Sequence, residues 1–170
     1  LSDLVEATGA KAPTLYAEFT NKEGLFRAVL DRYISRFAAK HEAQLFCEEK
    51  TVEQALQDYF CAVATCFTSK DTPAGCFMIN TSATLAASSK EIANTVKSRH
   101  AMQEETLSTF LAQRQQRGEI PAHCRPQELA QYLSCILQGM SISAREGATL
   151  EKLQGITQTT LRLWPELLKL

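Results

Sequence analysis

The chain lacks a Cys-x-x-C pair among its six cysteines. It also has no apolar run approaching the roughly 18 residues of a membrane span, and no useful stretch of period-two alternation. The first absence removes zinc ribbons and thioredoxin-type sites. The second removes a transmembrane helix. With no signal-peptide pattern either, a cytoplasmic protein is the default expectation. The third removes strands as the organising element. There is no glycine-rich phosphate loop, no nucleophile elbow and no pair of carboxylates on one buried face, so an enzyme is not indicated. The three histidines are scattered and none forms a metal-spaced pair with a cysteine, so neither a metal nor a cofactor is expected. An excess of positive charge is missing too, because the formal net charge is −1. Residues 1–40 hold six basic and five acidic side chains, only +1. Any nucleic-acid contact must therefore rest on where charges sit.

What is present is helix. Apolar residues make up 45% of 170, enough for a core in one large domain or two small ones. The pattern predicts an all-α chain of about eight helices, with no repeat and no low-complexity linker. Ser2 reads as a cap for the first and Gly9 as its end. Pro13 suits the first turn of a second helix from about Ala12 to Phe19. Asn21 caps a third, whose stripe of Leu25, Phe26, Val29, Leu30, Tyr33, Ile34 and Phe37 lasts more than three turns, after which the helix either frays or continues through His41 to Cys47. Thr51 caps the next, with Leu56, Tyr59, Phe60, Val63 and Phe67 as its stripe. Gly75 to Ala87 carries no charge, so this segment is expected to be buried on most sides. Lys90 to Arg117 reads as one long helix, ended by Gly118, in which Arg99, His100 and Gln103 interrupt the aliphatic face. Two further helices close the chain, separated by Gly147 and Thr149. Several of the cysteines sit among apolar residues at helical spacing, which suits small buried hydrophobes.

The residues from Ala10 to Leu25 carry the strongest functional signal. Val5-Glu6-Ala7-Thr8-Gly9-Ala10, followed by Thr14-Leu15-Tyr16-x-x-Phe19-x-Asn21-Lys22-Glu23-x-Leu25, resembles the TetR (tetracycline-repressor) family of transcriptional regulators. Gly75 to Asn80 and Arg117 to Ile120 are similar to elements of one branch of that family. The resemblance implies an all-α fold: a helix-turn-helix DNA-binding domain with its connecting helix over 1–45, then a helical ligand-binding and dimerisation domain over 46–170. It implies a homodimer on a palindromic double-stranded operator, acting as a repressor that a small-molecule inducer releases. Lys11 stands where the family usually has a Ser or Thr cap, Pro13 where it has Gly, and Glu18 where many members have His or Tyr. The family's first helix and basic arm are absent, so the chain reads as trimmed at its start.

Roles follow from residue chemistry. Leu15 and Phe19 pack the reading helix onto its neighbours. Lys22 in the first turn of a helix favours a phosphate, and Tyr16 can bury its ring and offer its hydroxyl to another. Lys11 and Thr14 face outward as base or phosphate contacts, and Glu18 can accept from a cytosine. The inducer pocket is expected among Phe60, Val63, Phe67, Phe77, Met78 and Phe110, with Asn80, Thr84, His100 and Gln103 as its polar groups. Leu133, Leu137, Met140, Leu161 and Trp164 are the candidate dimer seam. Two alternatives stand beside this reading. One is an electrophile or redox sensor working through Cys76, at a helix N-terminus that lowers a thiol pKa. The other is a helical interaction module that does not bind DNA.

Overall fold

The computed structural model describes residues 2–85 and 89–169, the side chains of 37–40 and 82–85 excepted. Nine α-helices follow one another among these residues: α1 (Ser2–Thr8), α2 (Ala12–Phe19), α3 (Lys22–Tyr33), α4 (Ala39–Leu45), α5 (Val52–Phe67), α6 (Phe77–Leu85), α7 (Lys90–Gln116), α8 (Pro126–Arg145) and α9 (Leu150–Leu167). None is long and apolar enough to cross a membrane.

Local chemistry sets most of the ends. Gly9 takes φ +66° and donates its N–H to the Val5 carbonyl at 2.9 Å, closing α1. Thr51 and Gln54 form a reciprocal capping box at the start of α5, and Ser89 and Thr149 cap α7 and α9. Ser2 departs from expectation. It is the first helical residue rather than a cap, its hydroxyl 3.5 Å from the Asp3 carboxylate. The connecting helix does not fray at Phe37. It passes through a π-helical turn, Ile34–Ala38, and continues as α4 to Leu45. The charge-free helix begins only at Phe77, because Gly75 at φ +84° belongs to the preceding turn.

Helices α4, α5, α7, α8 and α9 enclose the core, in which Tyr59, Phe60, Leu107, Phe110, Leu111 and Ile120 are fully buried. Four of the five residues expected at a dimer seam lie inside this same core. Leu133, Leu137, Met140 and Trp164 are at most 2% exposed within the single chain, and Leu161 is half-buried. A helix wedged between neighbours buries its most apolar face internally. The outward face of α8 and α9 carries Cys135, Gly139, Ile142, Gly155 and Leu163 instead.

The polar break in α7 has a structural purpose. Arg99 pairs with Asp31 of α3 at 2.8 Å, Arg27 of α3 pairs with Glu91, and Gln103 Nε2 donates to the Tyr59 hydroxyl at 3.3 Å. Farther along, Arg114 is 4% exposed. It donates to both Glu119 oxygens at 2.9 and 3.0 Å and to the Cys47 carbonyl at 2.8 Å, and stacks 5.3 Å from the centre of the Phe110 ring. This guanidinium fixes the α4–α5 turn to the end of α7. Glu119→Ala strands it without its carboxylate partner, so a loss of about 3 kcal/mol is expected in urea unfolding, whereas Arg114→Met, which removes the charge, should lose less.

Candidate functional site

The first site is built by α1, α2 and the start of α3. Lys11 occupies the N-cap position of α2 in extended conformation with no side-chain cap, and Pro13 sits in the first turn. The helix ends abruptly at Thr20, which takes φ +66° and ψ −52°. The Asn21 N–H donates to the Phe19 carbonyl at 2.7 Å across it, making a strained γ-turn. Asn21 Oδ1 then accepts from the Gly24 N–H at 2.8 Å and opens α3. The turn is tight enough that a Cβ on Gly24 would overlap the Phe19 carbonyl oxygen.

Lys11, Thr14, Tyr16, Glu18 and Lys22 are all exposed. The first, second and fourth follow one another at i, i+3 and i+7, so they share one face of α2. Lys22 is the first residue of α3, beside the free N–H groups of that helix end. Leu15 and Phe19 are only half-buried, resting on α3. Leu4, Leu15, Tyr16, Asn21, Lys22 and Leu25 line a crevice of about 160 Å³ between the three helices. Gly24 was not singled out in the sequence. A glycine inside a helical pattern, with no cap role at that point, was the available signal.

The second site is a cavity of about 250 Å³ between α3, the end of α5, the 69–75 turn and α6. Phe77 and Asn80, both expected there, line it together with Tyr33, Cys66, Pro73 and Thr81. A narrow extension of about 30 Å³ runs inward past Val63, Phe67, Met78 and Gln103, also expected, to Tyr59 and Cys76. Tyr33 and Cys66 join the two. Phe60 and Phe110 do not line either space. Phe60 packs edge-on against Tyr59 at 5.9 Å and Phe110 against Phe46 at 6.1 Å, on the faces of α5 and α7 turned toward the core. His100 also lies off both. Its Nε2 is buried without a partner, and burial lowers its pKa. The side chain of Thr84 is outside the described residues. Tyr33 belongs to the apolar stripe of the connecting helix. Its hydroxyl was the unused signal for a place on a cavity wall.

Gly75, Cys76 and Phe77 bind this cavity to two other helices. A Cβ on Gly75 would stand 2.7 Å from the Ser141 carbonyl oxygen of α8. The Cys76 N–H donates to Ser141 Oγ at 2.7 Å. The Phe77 ring lies 5.7 Å from Phe26 and 5.6 Å from Tyr33, both on α3. Cys76 Sγ accepts from the Tyr33 hydroxyl at 3.7 Å. Burial pushes the Cys76 thiol up, outweighing the backbone N–H groups of Met78 and Ile79 that pull it down. At this thiol burial outweighs the pull of the helix end and favours the neutral form.

Comparison with known proteins finds similarity across both parts of the chain. Residues 1–29 match the family model described as bacterial regulatory proteins, tetR family. Residues 52–159 match the model described as tetracyclin repressor-like, C-terminal domain. The chain is 78% identical over 169 residues to the HTH-type transcriptional repressor ComR of Escherichia coli (strain K12), covering 99% of this chain and 80% of that protein. It is 27% identical over 153 residues to the repressor BdcR of the same organism, covering 90% and 72%. A solved structure of a cysteine mutant of the TetR family regulator CifR, complexed with 26-bp double-strand operator DNA, superposes with a TM-score of 0.90. That match is at 25% identity over 97% of this chain and 86% of that one.

The turn makes two opposite predictions for thermal unfolding. Gly24→Ala forces the Phe19 carbonyl aside and should destabilise by about 1–3 kcal/mol. Thr20→Gly relieves the positive φ and should stabilise, by up to about 1 kcal/mol after the entropy lost by glycine is counted.

Proposed function

Because the chain belongs to the TetR family of transcriptional regulators, we propose that it is a repressor of a palindromic double-stranded operator, bound as a homodimer and released by a small molecule in the 250 Å³ cavity. The observation that carries this reading is the aromatic contact of Phe77, a cavity wall, with Phe26 and Tyr33 of α3. Helix α3 leads directly out of the helix-turn-helix, so a ligand that displaces Phe77 bears on the helix that holds the reading head. The family is one of regulators, not enzymes.

In this reading α2 enters the major groove, with Lys11, Thr14 and Glu18 toward the bases. Tyr16 and Lys22 hold the flanking phosphates, where the positive end of α3 adds to the lysine. The reading unit runs to about residue 45, and the sensing and dimerising unit follows from 46. Dimerisation falls to the outward face of α8 and α9. Cβ atoms added at Gly139 and Gly155 would meet nothing within 4 Å, and Ile142 and Leu163 are 46% and 47% exposed. Small and apolar residues together leave room for a partner's helices to approach closely. A protein whose partner is operator DNA works in the cytoplasm. A Cys76 sensor is the weaker second reading, since that thiol is buried and held protonated.

Operator selection with the full-length protein, followed by release with a panel of small molecules, tests the reading; an operator that no compound releases counts against the inducer. Lys22→Ala should weaken operator binding across sequences and reduce the slope of log K against log salt by about 1. In sedimentation, Ile142→Glu combined with Leu163→Glu should yield monomers, and an unchanged dimer would move the interface elsewhere.

A further inference from the structure

Taking the cavity as the inducer site, a premise that rests on the reading above, we propose that its ligand is a small, uncharged, largely planar molecule with one oxygen function. Ionised congeners of the same shape are excluded.

The first support is what lines the space. Among the described residues no Lys, Arg, Asp or Glu side chain stands on its wall, and His41 borders only the inward extension. The two charged residues of the neighbouring turn, Lys70 and Asp71, are exposed to solvent. An ion settling here gives up part of its hydration against a mostly apolar wall and meets no countercharge, which costs more than the same step for a neutral molecule. The protein's own groups obey the same rule. Burial pushes the Tyr33 hydroxyl and the Cys66 and Cys76 thiols toward their neutral forms. The contrast lies close by. A separate crevice of about 80 Å³ bordered by Ile34 and Met78 carries Glu42 and Arg99, so charge is available on this side of the molecule but not in the cavity.

Shape and polarity narrow the class further. Two aromatic rings, Tyr33 and Phe77, stand 5.6 Å apart on the wall, and their faces and edges suit a flat apolar body. The polar side chains on the wall are Asn80, whose Nδ2 donates to the Ala74 carbonyl at 2.9 Å, Thr72, Thr81, which is 5% exposed, and Tyr33, whose hydroxyl donates to Cys76 Sγ. They suit one carbonyl or hydroxyl on the ligand. The volume of about 250 Å³ lies under the usual range for drug-sized ligands, about 300–1,000 Å³, so a small molecule such as a single ring with a short substituent fits.

The test is isothermal titration of the full-length protein at pH 7.5 with three molecules of one shape: acetophenone, benzoate and 1-phenylethylamine. Acetophenone should bind at least about tenfold more tightly than either ion. Cys66→Phe and Phe77→Trp fill the cavity from two walls, and each should weaken acetophenone at least about fivefold while the far-ultraviolet dichroism stays helical. Equal binding of benzoate or the amine overturns the class, as does failure of acetophenone to bind. Binding that survives both filling variants overturns the site. An operator gel shift separates this from the inducer reading. Acetophenone that binds without releasing DNA leaves the class standing and removes the inducer role. Release by benzoate as effective as by acetophenone does the reverse.

Discussion

The structure turns on the close approach of Gly75 to Ser141. With 2.7 Å between a would-be Cβ and the Ser141 carbonyl oxygen, only glycine lets this turn lie flat on α8. That approach brings the Cys76 N–H onto Ser141 Oγ and sets the direction in which α6 leaves. The direction of α6 in turn places Phe77 between the cavity and the two rings of α3. Three consecutive residues thus touch the outward-packing helix, the cavity and the helix that holds the reading head. Because packed interiors resist continuous deformation, movement at one of these contacts is felt at the others.

Charge in the amino-terminal region is distributed by pairing rather than by total. Arg27 is committed to Glu91, and Asp31 to Arg99, so two groups that cancel in a count of residues 1–40 are in fact neutralised by α7. What remains on α2 and the first turn of α3 is Lys11 and Lys22 beside Glu18 and Glu23, two side chains of each sign. Neighbouring helix ends add partial positive charge that no residue count records. A near-neutral total is therefore compatible with a positively biased reading face.

Features written in local chemistry were legible in the sequence. The limits of α2, the Asn21 cap, the Thr51 and Thr149 caps and the helix-ending glycines follow from single residues and their immediate neighbours. The amphipathic stripes were legible as stripes, but a stripe does not say what it faces. Leu133, Leu137, Met140 and Trp164 were apolar enough for a subunit seam and equally so for the core, and the crowding of α8 between α7 and α9 decided for the core. Phe60 and Phe110 were drawn inward for the same reason. Val63, Phe67, Phe77, Met78, Asn80 and Gln103 border the cavity or its extension because their helices, α5, α6 and α7, converge there. Tyr33 was missed because α3 was assigned to the reading head alone. The strain at Thr20 has no local signature, since threonine does not favour positive φ. It is imposed by the fit of α2 onto α3.

The π-helical turn at Ile34–Ala38 acts as a phase shifter in the shaft between the two halves of the molecule. A π turn takes up one residue more than an α turn, and one residue corresponds to about 100° of rotation around a helix. Upstream of it, Phe26, Leu30 and Tyr33 face inward; downstream, Leu45 does so. A strict α-helix of the same sequence would keep one of these alignments and lose the other. The angular setting of the reading head relative to the sensing half therefore depends on a single inserted residue. Lengthening or shortening this shaft by one position would turn the head through roughly a quarter of a revolution, at the expense of the contacts α3 makes with Phe77, Glu91 and Arg99.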